Sequence, residues 1–325
     1  MTRGRPQSVS VVLTARTTSH RNPRKVLEEV EGKPLIYWIA QKLSEVGHVI
    51  LAIPTGDKLL LEWGKAEGLD VFEGSEDDVT GRMMGAVQEY QPDAQYIMRG
   101  LGDCPLLEPS FSKRAHQVLR EHRGDAFVWA LPPFTYPVYG TQEFPRSRKV
   151  WDDTNILGVR DEREHPDLYY HRHRGRFKII YHDPPPPVYF RPYRLEVDWA
   201  EDLELIRKIA KHFGKMPTLQ EAIEYLDKCD DHKINRLRSE KTGMTISYRQ
   251  SDRATWWKLM VNQPVVMWDN TVYKPVTNGQ PVYCRRKTCL LGYASEGKLY
   301  RLNGEVVVAG IVTCPCGTGR TWSAK

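Results

Sequence analysis

The sequence predicts a three-layer α/β domain with a mostly parallel sheet over residues 1–240, followed by a small all-β module over residues 241–325. Three observations carry that prediction. Short β-branched runs alternate with amphipathic stretches through the first two-thirds of the chain, the pattern of βαβ units whose helices cover a sheet. Segments rich in Arg, Lys and Asp follow directly on predicted strands, where open α/β sheets bind their ligands. The stretch 229–241 (CDDHKINRLRSEK) is polar and charged, and beyond it short apolar segments alternate with Gly, Asn and Pro turns.

Residues 8–14 (SVSVVLT) read as a buried strand, as do 49–53 and 96–99. Between them Leu35, Ile36, Ile39, Leu43 and Val46 recur at helical spacing, and so do Leu59, Leu60, Trp63 and Ala66. Residues 125–131, 177–182 and 193–197 follow as strands, the last two joined by the stiff run Pro184–Pro187. Leu203, Ile206, Ile209 and Phe213 then form one apolar helix face beginning just after Asp198, and Thr218 caps a short helix ending at Leu226. In the C-terminal module, 264–268, 272–276 and 306–312 read as short strands.

With 40% hydrophobic and 27% charged residues, the chain has the balance of an ordinary globular protein, not of a disordered one. It has no apolar run long enough for a membrane helix. Residues 1–8 are basic and lack the apolar stretch of a signal peptide, so a cytoplasmic location is expected. Charge is uneven: residues 241–325 hold 12 Lys/Arg against 4 Asp/Glu, whereas 1–240 hold 35 against 37. A basic module on a near-neutral body points to a polyanionic partner.

The chemistry gathers in three places. After the first strand, Thr14 to Lys25 (TARTTSHRNPRK) sets Arg16, His20, Arg21, Arg24 and Lys25 on one loop. Guanidinium forks and a lysine point charge match the oxygens of a nucleoside triphosphate. After the strand 96–99 comes Leu101-Gly102-Asp103-Cys104-Pro105-Leu106, whose Asp103 is placed to hold Mg²⁺, an ion that uses one or two protein carboxylates alongside phosphates and waters. Third is Arg194–Leu203 (RLEVDWAEDL), in which Asp198 serves as a helix cap, a second metal ligand or both.

In their order these segments resemble the cytidylyltransferase family, which includes spore-coat polysaccharide cytidylyltransferase-like proteins and the CMP-Kdo and CMP-sialic acid synthetases. The resemblance is carried by A-R-x-x-S-x-R-x-P-x-K, G-D-C-P-L and V-D-x-x-E-D-L-E, and by Val71–Val79 (VFEGSEDDV) and Arg163-Glu164-His165 followed by Tyr169-Tyr170, and it spans residues 8–213. It implies a nucleotide-diphospho-sugar transferase-like, Rossmann-like fold and attack of a sugar or sugar-acid oxygen on the α-phosphorus of CTP, with release of pyrophosphate. Carried over by position, Ala15, Arg16, Ser19, Arg21 and Lys25 would bind the triphosphate, and Asp103 and Asp198 would hold Mg²⁺. Gly74, Ser75, Asp78 and Arg82 would lie near the nucleoside, and Arg163, Glu164 and His165 would face the sugar. The sequence departs from the family pattern at Leu101 (usually Thr), at Gly100 (usually larger), at Gly81 (commonly acidic), and at Asn22 and Arg24, which replace Leu and Gly.

Two other classes compete. A glycosyltransferase on the same scaffold would use a finished nucleotide-sugar, but such enzymes hold metal with an Asp-x-Asp pair, and Gly102-Asp103-Cys104 offers a single acid. A non-enzymatic nucleic-acid-binding protein would have no need of Arg16, Lys25, Asp103 and Asp198 together. In the C-terminal module, Cys284 and Cys289 form one pair and Cys314 and Cys316 another, a set of four thiolates suited to a structural Zn²⁺. Around them Arg285, Arg286, Lys287, Lys298, Arg301 and Arg320 are interleaved with Tyr283, Tyr293, Tyr300 and Trp322, a composition that suits nucleic acid. A homodimer stays open as an assembly.

Overall fold

The computed structural model describes residues 9–19, 21–129, 138–182, 185–189, 191 and 193–235, and a set of strands between 265 and 323. It divides into two compact units: one is drawn from 1–126, 138–178 and 192–238, the other from 127–137, 179–191 and 239–325.

The first unit is built on a five-stranded sheet. Its middle strand β1 (Val9–Thr14) is buried along its whole length, which explains why a run of Val and Leu forms it. A short hairpin, β2 (Glu29–Val30) and β3 (Lys33–Pro34), precedes helix α1 (Leu35–Ser44). Then come β4 (Gly47–Pro54), α2 (Lys58–Ala66), β5 (Asp70–Gly74), α3 (Val79–Tyr90) and β6 (Tyr96–Leu101). Next are α4 (Pro109–His122) and, after β7 (Ala126–Trp129), most of which belongs to the second unit, β8 (Arg146–Ser147), α5 (Arg148–Leu157), α6 (Arg160–Glu164) and α7 (Asp167–Arg172). The strand order is β5-β4-β1-β6-β8, parallel except for β8, so the predicted mostly parallel sheet is present. On one face Met83, Ala86 and Val87 of α3 pack with Val12, Ile50, Ile97 and Trp151. On α1 the side chains of Leu35, Ile36, Ile39 and Leu43 are buried. Gly100 has a steric reason: a Cβ there would stand 2.4 Å from Leu43 Cδ1. A larger residue would force Leu43 out of its place, an overpacking that costs ~1–3 kcal/mol.

Helices α8 (Ala200–Phe213) and α9 (Leu219–Leu226) complete the unit, and Thr218 caps α9 with Glu221 in a reciprocal capping box. Two sequence expectations need correction here. Residues 193–197 form no strand; Tyr139 and Arg194 make an isolated bridge, and Leu195 donates to the Tyr139 carbonyl at 3.0 Å. Asp198 does not cap α8 either, because Trp199 stands at the N-cap and Asp202 accepts from the amides of Asp198 and Trp199, both at 3.0 Å. An acid at the third helical position satisfies the orphan amides from inside the first turn, which leaves the Asp198 carboxylate to other partners.

The second unit holds a sheet of order β11-β10-β9-β7, using β9 (Ile179–His182), β10 (Val265–Val266) and β11 (Val272–Tyr273). It also holds an antiparallel sheet of β12 (Gln280–Tyr283), β13 (Leu290–Ser295), β14 (Lys298–Tyr300) and β15 (Val306–Val307). Strands β16 (Ala309–Val312) and β17 (Arg320–Ser323) pair with each other. Cys284, Cys289, Cys314 and Cys316 lie outside the described residues. Among the described residues no helix is long and apolar enough to cross a membrane.

Candidate functional site

The loop after β1 is fixed by contacts that its composition does not announce. Asp57, which caps α2, accepts from both the amide and the hydroxyl of Thr17 at 2.8 and 2.9 Å. The Arg24 amide returns to the Thr17 carbonyl at 3.0 Å, with Arg24 itself left-handed at φ +60°. That conformation accounts for the glycine usual in the related motif. The turn delivers Lys25 into the protein, where its side chain is only 7% exposed.

Three oxygens converge on the Lys25 ammonium. Asp103 Oδ2 and Asp198 Oδ1 each lie at 2.9 Å and the Val197 carbonyl oxygen at 2.7 Å. Backbone pairing brings the two acids together, since the Val197 amide donates to the Asp103 carbonyl at 2.8 Å. Asp198 is further held by Arg21 Nη2 at 2.6 Å on Oδ1 and by Arg194 Nη2 at 2.9 Å on Oδ2. Arg194 is anchored in turn by Asp202, which also accepts from Asn235 at 2.8 Å. Burial opposes the charge on Lys25, but the carboxylates of Asp103 and Asp198 outweigh it and raise its pKa. Burial likewise works against the Asp198 carboxylate, and Lys25 and Arg21 overcome it, so its pKa is lowered. Nearby Glu196 goes the other way: burial, then the charges of Asp103 and Asp198, push it up to about 8. Asp103, Cys104 and Glu196 bring ligand atoms within 4.8 Å of one another. The donor set fits a divalent cation, because a positive group already sits where two carboxylates and a carbonyl point.

Above this seat an open cleft of about 210 Å³ lies at the ends of β1 and β6. Ala15, Arg16, Ser19, Arg21 and Lys25 line it on one side, Asp103 forms its foot, and Arg82, Glu164 and His165 also face it. Arg16 pairs with Glu76 at 3.2 Å, and Thr18 donates to the same carboxylate. Arg82 and Arg99 lie along the lining and form no ion pair among the described residues. Arg82 donates to the Ser75 carbonyl and Arg99 Nε to Thr14 Oγ1 at 3.3 Å. Burial, with the like charges of Arg99 and Arg16, lowers the Arg82 pKa to about 10, and its Nε is buried without a hydrogen-bond partner. The Glu76 and Asp78 carboxylates offset this lowering in part without forming a close ion pair with it.

Of the remaining predicted residues, Gly74, Ser75, Asp78 and Arg163 do not line the cleft and stand behind Arg82 and the start of α3. Asp78 caps α3, accepting from the Gly81 amide at 2.8 Å, and Ser75 Oγ accepts from the Asp78 amide at 3.1 Å. Gly74 packs on Arg82, where a Cβ would stand 3.0 Å from Arg82 Cγ. Arg163 is turned to Asp78 and to the Asn155 carbonyl, while Glu164 and His165 reach the cleft. Sequence reasoning missed Arg99, Arg194, Glu196, Asp202 and Asp57. Of these, only Arg194, Glu196 and Asp202 carried a signal, as neighbours of Asp198.

The chain is 25% identical to the spore coat polysaccharide biosynthesis protein SpsF of Bacillus subtilis over 239 residues, 69% of this chain and 96% of that one. It is 32% identical to a 3-deoxy-manno-octulosonate cytidylyltransferase of Photobacterium profundum over 103 residues, 31% of this chain and 42% of that one. The fold is similar to the solved structure of a cytidylyltransferase from Leptospira borgpetersenii, with TM-score 0.62 and 22% identity over 71% of this chain and 98% of that one. The family model for cytidylyltransferases matches residues 10–228, and on that match, which takes in Arg16, Lys25, Asp103 and Asp198, the chain belongs to the cytidylyltransferase family.

Proposed function

We propose that this nucleotidyltransferase transfers the cytidylyl group of CTP to a hydroxyl of a sugar or sugar acid and releases pyrophosphate, with Mg²⁺ at Asp103 and Asp198. The observation that carries the reading is the convergence of Asp103, Asp198 and the Val197 carbonyl on one cation, at the foot of a cleft lined by Arg16, Arg21, Arg82 and Arg99. In the reaction an acceptor oxygen forms a bond to the α-phosphorus, the bond to the β-phosphate oxygen breaks, and the acceptor proton passes to solvent. Such a reaction needs alignment and charge neutralisation more than covalent help. The bound metal would neutralise phosphate oxygens and hold them in line. Arg16, Arg21 and Lys25 would stabilise the departing pyrophosphate, Arg82 would lie toward the nucleoside, and Glu164 and His165 would face acceptor hydroxyls.

The test is pyrophosphate release from CTP, UTP and GTP against a panel of neutral sugars and 2-keto sugar acids. CTP-specific release with one acceptor class is expected. Transfer from a supplied nucleotide-sugar, without pyrophosphate release from any triphosphate, would instead make the chain a glycosyltransferase. For the C-terminal residues we propose one Zn²⁺ held by Cys284, Cys289, Cys314 and Cys316, a reading supported by the two cysteine pairs alone. Metal analysis of the full-length chain is expected to find about one zinc per chain.

A further inference from the structure

The chain's own cationic side chains already fill the proposed metal seat. The Lys25 ammonium touches both carboxylates at 2.9 Å, Arg21 approaches Asp198 Oδ1 at 2.6 Å, and Arg194 approaches Oδ2 at 2.9 Å. Magnesium would need the same carboxylate oxygens at about 2.0–2.1 Å, around the point the ammonium fills. Ammonium and metal cannot share it. Charge gives the same answer: a divalent ion added beside Lys25, Arg21 and Arg194 would face three cations at short range, where partial burial weakens screening. A triphosphate changes the balance, because it brings several negative charges and offers Lys25 and Arg21 other oxygens.

We propose that Lys25 is an internal counter-ion that keeps divalent metal off Asp103 and Asp198 until the phosphates of the nucleotide draw its ammonium away, so that metal enters the seat only together with nucleotide. The proposal rests on the triphosphate reading of the cleft. Its physical content is a linkage: a group that competes for the metal's ligands lowers metal affinity until a second ligand removes it. The Asp57 contacts to Thr17 set where the loop starts and the left-handed Arg24 sets where it ends, so the lysine stem is the part with freedom to swing.

The full-length, nucleotide-free chain, stripped of metal, is titrated with Mn²⁺, and unbound Mn²⁺ is read by electron paramagnetic resonance. Lys25→Met keeps the stem and removes the charge, and is expected to bind Mn²⁺ at least about tenfold more tightly than the unaltered chain, as expected when a competing unit charge is removed at close range. Adding Asp103→Asn to Lys25→Met should abolish the gain, which locates it at the seat. Equal Mn²⁺ affinity for the unaltered chain and Lys25→Met overturns the proposal. Should Lys25→Met fail to fold, the unaltered chain still decides, through amidination of Lys25 followed by mass spectrometry. Mn²⁺ at a concentration that fills the site when CTP is present, but added without nucleotide, is expected to leave the slow labelling of this buried lysine unchanged. Faster labelling would mean that metal alone ejects it, which also overturns the proposal. Both readouts are independent of turnover, so an inactive acceptor panel would count against the proposed reaction and leave this contrast readable.

Discussion

The two ends of the cleft solve opposite problems. At the foot, the carboxylates of Asp103, Asp198 and Asp202 face the cations of Lys25, Arg21 and Arg194, and these charges balance before any ligand arrives. Along the lining, Arg82 and Arg99 stand near each other with hydroxyl and carbonyl oxygens as their hydrogen-bond partners, and burial with the like charges of Arg99 and Arg16 costs Arg82 basicity. A saturated cluster contributes to the fold and must be opened for chemistry. An unsaturated one burdens the fold and is relieved by ligand. Stability and function should therefore respond in opposite senses at the two ends, and substitutions can break or sharpen that contrast.

The largest effect is expected at the foot. Asp103→Asn should cut turnover by about 10²–10³ or more, the scale of losing one preorganised electrostatic partner. Near-normal rates at saturating Mg²⁺ would remove Asp103 from the chemistry. Next, at the other end, Arg82→Leu should weaken CTP binding roughly tenfold, in line with ~1.5–3 kcal/mol for a charged hydrogen bond, while the melting temperature holds or rises. Calorimetry that showed unchanged CTP affinity together with a lower melting temperature would make Arg82 structural and erase the contrast.

Two acids at the foot should also part with pH. Glu196, whose folded pKa is raised to about 8, binds a proton in the folded chain that the unfolded chain has released above its ordinary carboxylate range. Its contribution is complete below that range and is lost as pH climbs through 8, so stability falls across this window. Asp198, with its pKa lowered, contributes stability above the ordinary range that is lost on acidification. Glu196→Gln should thus flatten the decline in denaturation midpoint between pH 5 and 8, and an unchanged profile would show that Glu196 is ionised throughout. A smaller gain is expected from Arg24→Gly, which relieves a left-handed non-glycine residue and should stabilise by about 1 kcal/mol in urea titrations. The smallest is Glu76→Gln. It releases Arg16 from an exposed pair worth ~0.2–1 kcal/mol, so CTP should bind about two- to fivefold more tightly.

Much of the foot was legible in the sequence, because each acid follows a predicted extended segment and the cations crowd one loop. Asp103 and Lys25 could be named from local order alone. What could not be read was who answers whom. That Asp198 faces Lys25 depends on a pairing across 173 positions, and its freedom from capping depends on Asp202 taking both amides of the turn. The strand expected over 193–197 failed for a related reason. Its alternating pattern reflects Leu195 and Val197 buried on one side and charged residues turned to the seat on the other, with no neighbouring strand among the described residues to complete a ladder. Helices α6 and α7 went unseen because they are short, at five and six residues, and rich in charge, and α5 because only Val150, Trp151 and Thr154 are buried along it. The departures at Gly100 and Arg24 gained meaning only once Leu43 and a positive φ were in view.

Arg163 ties α6 to the cap of α3 through Asp78, Thr80 Oγ1 donates to the Arg163 carbonyl at 3.0 Å, and a Cβ on Gly81 would fall 2.4 Å from the Asp78 carboxylate and 3.1 Å from the guanidinium. The walls proposed for base and acceptor are therefore riveted together. For anyone exchanging parts between relatives, the graft unit is not the 160–172 segment alone. A chimera that imports a new Arg163 neighbourhood without Asp78, Thr80 and Gly81 inherits a mismatched joint, and its altered acceptor preference would arrive with an unintended change in which nucleotide it accepts.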